Sequence, residues 1–188
     1  MADIKTQIDI ETLRLHYLFE YGIDLKNRAI TITGDIDSDT FRVVDLGMSE
    51  MELSGKGAIT IKLNSTGGSI YDAMAVVGRL NSSRCPIITK GYGAIMSAAT
   101  LILASGDKRI MSKYSSFMHH EASYGMEGRH SEVKAVVIQM DKDNKIWSDW
   151  MSEFTKMSPL FWSEKGLHVD CYLTPEECKK YGIVDKII

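Results

Sequence analysis

Ser97 is the residue whose surroundings most favour chemistry. It lies in the stretch Gly91–Gly106, two residues after Ile95, and is followed by the small and aliphatic run Ala98–Ala104. This pattern predicts a strand, a sharp turn and a buried helix with the serine at its first turn. Backbone N–H groups without an intrahelical acceptor lie there, at the positive end of the helix dipole, and they suit a developing oxyanion. Serine is also a preferred N-cap, so helix capping alone explains the same position.

A serine nucleophile needs a base and an acid that orients the base. His119 and His120 end a predicted strand and therefore face opposite sides of it, so only one can face Ser97, and these residues alone leave the choice open. Among the late acidic residues, Asp170 lies in an apolar context between Val169 and Cys171-Tyr172-Leu173. We expect such a carboxylate to be poorly solvated unless it is paired.

The composition narrows the class of protein. The 188 residues predict one domain, and 44% hydrophobic with 25% charged residues is ordinary for a globular protein. A net charge of −3, with lysines and arginines scattered among acids, predicts no nucleic-acid partner. Three cysteines without metal-ligand spacing predict free thiols, no metal site and a reducing compartment. No apolar stretch predicts a signal core or a membrane span, so we expect a cytoplasmic protein. We also expect no cofactor.

Strand and helix patterns alternate along the chain and predict an α/β architecture with parallel strands. The predicted strands are residues 28–33, 58–63, 86–89, 109–111, 116–119 and 183–188. The predicted helices are residues 37–51 with Ser38 or Asp39 as cap, 70–80, 98–104, a long one from about 131 whose charged interval 141–145 faces solvent, 163–166, and 174–181. Thr174 and Glu177 predict a capping box for the last helix. Residues 1–27 are expected to form an irregular or partly helical N-terminal segment, a candidate axial or docking region, and residues 28–188 a single domain.

A second turn carries glycines where a strand becomes a helix, in the run Asn64-Ser65-Thr66-Gly67-Gly68-Ser69. Adjacent glycines allow backbone N–H groups to be directed outward, although many such turns are simple chain reversals. The spacing and lysine of a Walker phosphate loop are missing, as is GxGxxG.

Four runs taken in order resemble the proteolytic subunit of the Clp protease (ClpP), a serine peptidase family of the crotonase-like fold. They are NSTGGSIYDAMAV, GAIMSAATLILASG, SSFMHHEA and DCYLTPEECKKYGIVDKII, and the similarity extends from about Arg28 to Ile188. The resemblance implies a fold of repeated β-β-α-type units with a mostly parallel sheet and a protruding helical handle.

The resemblance also implies the roles of particular residues. It selects His120 over His119 as the base for Ser97, and Asp170 as the acid. The implied oxyanion donors are the amides of Gly68 and Ala98. The implied substrate-binding residues are Ser69, Ile70, Ser123, Tyr124 and Gly125, the last three in a glycine-rich strand within residues 122–128.

Family members form seven-membered rings, stacked face to face as a tetradecamer, with the active sites inside a chamber that an AAA+ ATPase feeds. The resemblance therefore implies unfolded polypeptide substrates, a homo-oligomeric ring and an ATPase partner. The chain differs from the family pattern at Thr66, Ala98, His168 and Cys171, which replace the usual proline, methionine, arginine and arginine. Two other hypotheses are a catalytically silent chamber subunit and a crotonase-type acyl-CoA enzyme.

Overall fold

The computed structural model describes the backbone of residues 4–188 and the side chains of residues 9–188. The helices are α1 Ile4–Tyr21, α2 Ser38–Leu53, α3 Ile70–Asn81, α4 Ala98–Ala104, α5 His130–Phe154, α6 Pro159–Lys165 and α7 Pro175–Lys180. The strands are β1 Ile23–Asp24, β2 Ala29–Ile36, β3 Ile59–Gly68, β4 Ile87–Met96, β5 Lys108–Met111, β6 Ser116–His119, β7 Cys171–Leu173 and β8 Lys186–Ile187.

The strands form a single, mostly parallel sheet, as the sequence predicts. Its order is β1-β2-β3-β4-β5-β8, with β1 antiparallel at the edge and the other neighbours parallel. The first half of β4 pairs with β5 and its last residues pair with β6, which in turn pairs antiparallel with β7. The sheet therefore divides along β4, just before Ser97.

Burial explains why these segments form these elements. Side chains along β3 alternate, with Ile59, Ile61 and Leu63 buried. The buried residues of α3 recur at helical spacing, whereas every residue of α4 is buried, as expected for a helix packed on all sides. Thr174 and Glu177 form the predicted capping box of α7.

Several predicted boundaries were wrong. Strand β2 does not end at Gly34, because a register shift between Thr33 and Asp35 carries it on to Ile36. Both β3 and β4 extend several residues beyond their predicted ends. The N-cap of α2 is Asp37, whose side chain accepts a hydrogen bond from the amide of Thr40. Asp37 is the cap because its carboxylate accepts a hydrogen bond from the amide of Thr40, which the side chain of Ser38, already inside the helix, does not reach.

The N-terminal segment is partly helical, as one of its two predicted alternatives has it, because α1 covers Ile4–Tyr21 without a break. Among the described side chains of α1, Tyr17 and Tyr21 at its C-terminal end pack on the core, and Phe19 is 78% exposed. Directly after it, Ile23 is fully buried and pairs with Ile30 at the edge of the sheet. The division into residues 1–27 and 28–188 stays a prediction.

Two further expectations about local structure were wrong. Residues 122–128 form no strand; the amide of Ala122 instead donates to Asn144 Oδ1, because no described strand lies alongside to accept from this segment. The charged interval 141–145 does not lie wholly in solvent, because Asp143 is buried together with Trp147 and Met151 in the second half of α5. The first half of α5 projects from the domain.

Candidate active site

Ser97 occupies a constrained position between β4 and α4. Its φ is +49° and its ψ is −122°, a conformation that residues other than glycine rarely adopt and that costs on the order of 1–3 kcal/mol. Gly67 lies directly against it: a Cβ added to Gly67 would come within 2.6 Å of Ser97 Cβ. The turn thus directs the serine side chain away from the helix that follows.

Capping does not explain Ser97. Its side chain makes no cap hydrogen bond to α4. Its Oγ instead lies 2.7 Å from His120 Nε2, which is hydrogen-bonding distance. With the imidazole proton on Nδ1, Nε2 accepts the hydrogen of the serine hydroxyl, and this is the arrangement that activates a nucleophile.

The neighbouring His119 has a different environment. It is only 4% exposed, its Nε2 donates to the carbonyl of Trp162 at 2.9 Å, and its ring meets the Trp162 indole edge to face. Burial lowers the pKa of His119 below its ordinary 6.5, since the charged imidazolium would be desolvated. His119 is thus a neutral packing residue, and His120, on the other face, is the one beside the serine.

Asp170 is exposed. Among residues 9–188, no hydrogen bond joins its carboxylate to the imidazole of His120, whose Nε2 pairs with Ser97. The expectation of a poorly solvated carboxylate was wrong, because Val169 and Tyr172 beside it are exposed as well. Apolar neighbours in sequence do not bury a residue at the end of a short edge strand.

Ala98 and Gly68 both line the cavity next to Ser97. Ala98 is the first residue of α4, so its amide has no intrahelical acceptor. Gly68 has a φ of +150°, and a Cβ there would lie 2.3 Å from the carbonyl oxygen of Ile36. The chain can follow this path only with glycine at position 68.

The cavity has a volume of about 310 Å³. Of the predicted substrate-binding residues, Ser69, Ile70, Ser123 and Tyr124 line it and Gly125 does not. Ser69 also caps α3, accepting a hydrogen bond from the amide of Asp72. The side chains that line it further are Tyr71, His119, His120, Glu121, Ala122, Asn144, Trp147, Ser148, Trp162 and Ser163.

Sequence analysis missed the contribution of α5 to this cavity. Asn144, Trp147 and Ser148 line it, and the carboxylate of Asp143 accepts a hydrogen bond of 2.7 Å from the hydroxyl of Tyr71 across from it. The signal was present, because position 143 precedes Trp147 by one helical turn. The charged residues of the interval 141–145 predict a solvent-exposed face, whereas the spacing from position 143 to Trp147 predicts a buried one.

Within residues 9–188 no three His, Cys, Asp or Glu side chains are grouped closely enough to hold a metal ion. None of the described helices combines the length and the apolar character needed to cross a membrane. A protein-family model described as Clp protease matches residues 18–188 of the chain.

Proposed function

Because this chain belongs to the Clp protease family of peptidases, we propose that it is a serine endopeptidase that hydrolyses polypeptides with Ser97 as nucleophile and His120 as general base. One observation carries the proposal: the 2.7 Å contact between Ser97 Oγ and His120 Nε2, made by a serine that does not cap its helix. A serine hydroxyl is a weak nucleophile at neutral pH, and this contact supplies the base that it needs.

The reaction follows from the positions of these groups. His120 Nε2 takes the hydroxyl proton while Ser97 Oγ attacks the peptide carbonyl, and the amides of Ala98 and Gly68 bind the oxyanion that forms. His120 then gives the proton to the leaving amine. A water molecule then gives a proton to His120 and attacks the acyl-enzyme. The carboxylic acid product leaves as His120 returns the proton to Ser97 Oγ. Removing one oxyanion donor from such a site typically costs about 100- to 1000-fold in rate.

Asp170 is proposed as the acid that orients His120, and the pairing of β6 with β7 supports this role. The register is Phe117 opposite Leu173, Met118 opposite Tyr172 and His119 opposite Cys171. One further step brings His120 opposite Asp170. Directly opposite residues of an antiparallel pair have Cβ atoms about 4.5–5.5 Å apart on the same face, so this register supports a contact between the two side chains.

The protein is proposed to work as a homo-oligomeric ring, a heptamer or a stacked tetradecamer, and to receive unfolded chain from an AAA+ ATPase. Exposed Val137 and Ile138 on the projecting half of α5 support assembly. The Ser97–His120 contact favours an active subunit over a silent one. An acyl-CoA enzyme is less well supported, because no lysine or arginine of residues 9–188 lines the cavity to bind the phosphates.

Reaction with a fluorophosphonate probe, followed by intact mass and peptide mapping, tests the proposal. The purified protein should be labelled at Ser97, Ser97→Ala should not be labelled, and His120→Ala should react at least about 1000-fold more slowly. Asp170→Asn should be labelled more slowly than the parent protein and faster than His120→Ala. His130→Ala, which replaces an exposed histidine at the start of α5, should label like the parent protein.

Labelling must be read on assembled protein, with light scattering run on the same sample. Assembled protein that takes no label at Ser97 would refute an active serine and favour the silent subunit. Normal labelling of Asp170→Asn would leave Ser97 and His120 in their roles and remove Asp170 from the mechanism.

A further inference from the structure

A buried carboxylate lies behind the wall of the active-site cavity. Asp143, on α5, is only 3% exposed, and it accepts hydrogen bonds from the Tyr71 hydroxyl at 2.7 Å and from Gln139 Nε2 at 2.8 Å. Neither donor carries a charge. Within residues 9–188 no lysine, arginine or histidine forms an ion pair with Asp143.

Such a group retains the capacity to bind a further partner. A carboxylate offers about four lone-pair sites, of which two are used here. Burying a charge without a countercharge is costly, and a cation that comes within reach recovers part of that cost. Asp143 is therefore a ready partner for a positive group from outside the chain.

Asp143 acts electrostatically on side chains that line the cavity. Tyr71, which contacts it, and Asn144, which follows it, both line the cavity. The hydrogen bond to Asp143 raises the pKa of the Tyr71 hydroxyl, and desolvation together with the charge of Asp143 raises the pKa of Tyr124 on the same lining. The lining adds one further acid, Glu121, and in the described part of the chain no lysine or arginine.

We infer that this cavity accepts a positively charged side chain of the polypeptide substrate, lysine or arginine, with Asp143 as the countercharge that determines this specificity. The inference rests on the proposed peptidase function and names its substrate class. Trp147 and Tyr124 supply aromatic surface for the aliphatic stem and for a cation–π contact. Tyr71 is half exposed, and its hydroxyl competes with the incoming cation for the carboxylate.

Binding of small ligands tests the inference without any need for catalysis. Benzamidine and its neutral analogue benzamide are titrated calorimetrically into Ser97→Ala, alone and combined with Asp143→Asn or Asp141→Asn. Benzamidine should bind at least about tenfold more tightly than benzamide, and Asp143→Asn should abolish the difference. Asp141→Asn removes the same charge from an exposed site on the same helix and should leave the ratio unchanged.

A second variant changes the result in the opposite direction and guards against a folding defect in Asp143→Asn. Tyr71→Phe removes one neutral donor from Asp143, so benzamidine should bind more tightly to it. Equal affinity for benzamidine and benzamide, or an equal loss of benzamidine binding in the Asp141 and Asp143 variants, would overturn the inference.

Peptide reporters separate this inference from the proposed function. With the parent protein, kcat/KM should be at least about tenfold higher for lysine or arginine than for leucine before the cleaved bond, and Asp143→Asn should reverse this preference. Labelling at Ser97 together with a preference for leucine would overturn the specificity and leave the peptidase intact. Benzamidine binding without labelling would refute the peptidase and leave the cation site.

Discussion

His119 and His120 show how alternation along one strand gives identical side chains different properties. His119 points into the core beside Trp162, whereas His120 reaches Ser97 on the other face. A protonated imidazole at position 119 would place a charge in a site that offers only a carbonyl as partner. Folding therefore favours the neutral imidazole at position 119.

This environment predicts a pH dependence of stability. The pKa of His119 is lowered in the folded state, so below about pH 6.5 the unfolded chain binds a proton more readily than the folded chain does. Stability should be fully present above pH 6.5 and fall below it, with His119 contributing at most about 1.4 kcal/mol per pH unit. Urea unfolding between pH 5 and 7.5 should show a steeper decline for the parent protein than for His119→Gln.

The exposed His130 provides the control for that experiment. His130→Gln should retain the full slope of the parent protein, because position 130 is exposed and lies outside the buried surroundings of His119. Identical slopes for the parent protein and His119→Gln would show that folding does not lower the pKa of His119.

Residue types and their order predicted Ser97 as a nucleophile but left His119 and His120 as equal candidates for its base, and only the resemblance selected His120. Asp143 could not be found in the same way. Its burial depends on how α5 packs against α4 and α6, tertiary contacts that the charge pattern of residues 141–145 conceals. The exposure of Asp170 likewise depends on where β7 ends rather than on its apolar neighbours.

At the scale of elements, two strand-turn-helix units build the site. The turn from β3 to α3 supplies Gly68, and the turn from β4 to α4 supplies Ser97 and Ala98. Because the two strands are parallel neighbours, both turns lie at the same edge of the sheet. This arrangement could be predicted from local patterns, whereas the full lengths of β3 and β4 depend on pairing between distant segments.

The contact between these turns predicts the effect of one methyl group. Gly67→Ala forces a φ of +107° on alanine and drives its Cβ against Ser97, whose position fixes the distance to His120. We expect a loss of at least about 1–2 kcal/mol of stability and labelling of Ser97 slowed at least tenfold. Thermal unfolding and probe labelling measure the two effects.

Gly78→Ala is the matched control for the Gly67 variant. Gly78 lies within α3 and nothing lies within 4 Å of an added Cβ, so alanine should preserve labelling and stabilise the helix by up to about 1 kcal/mol. Labelling of Gly67→Ala at the rate of the parent protein would show that the turn accommodates the methyl group without moving Ser97.

At the scale of the whole molecule, helices α1 and α5 both expose large apolar side chains. Helix α1 exposes Leu13 and Phe19, and the first half of α5 exposes Val137 and Ile138. In the proposed ring, neighbouring chains would cover such side chains. The resemblance anticipated the exposed face of α5, but it gave no account of the long helix α1.

Assembly should therefore depend on the projecting face of α5. The double variant Val137→Asp with Ile138→Asp replaces two side chains, each 48% exposed, by carboxylates that would be desolvated in any contact with a neighbouring chain. Multi-angle light scattering should give the parent protein a mass that is a multiple of 21.1 kDa and the variant at most half of that mass. Leu53→Asp, at an apolar site 84% exposed on α2, should assemble like the parent protein. An unchanged mass in the double variant, or a monomeric parent protein, would contradict a ring built on this face.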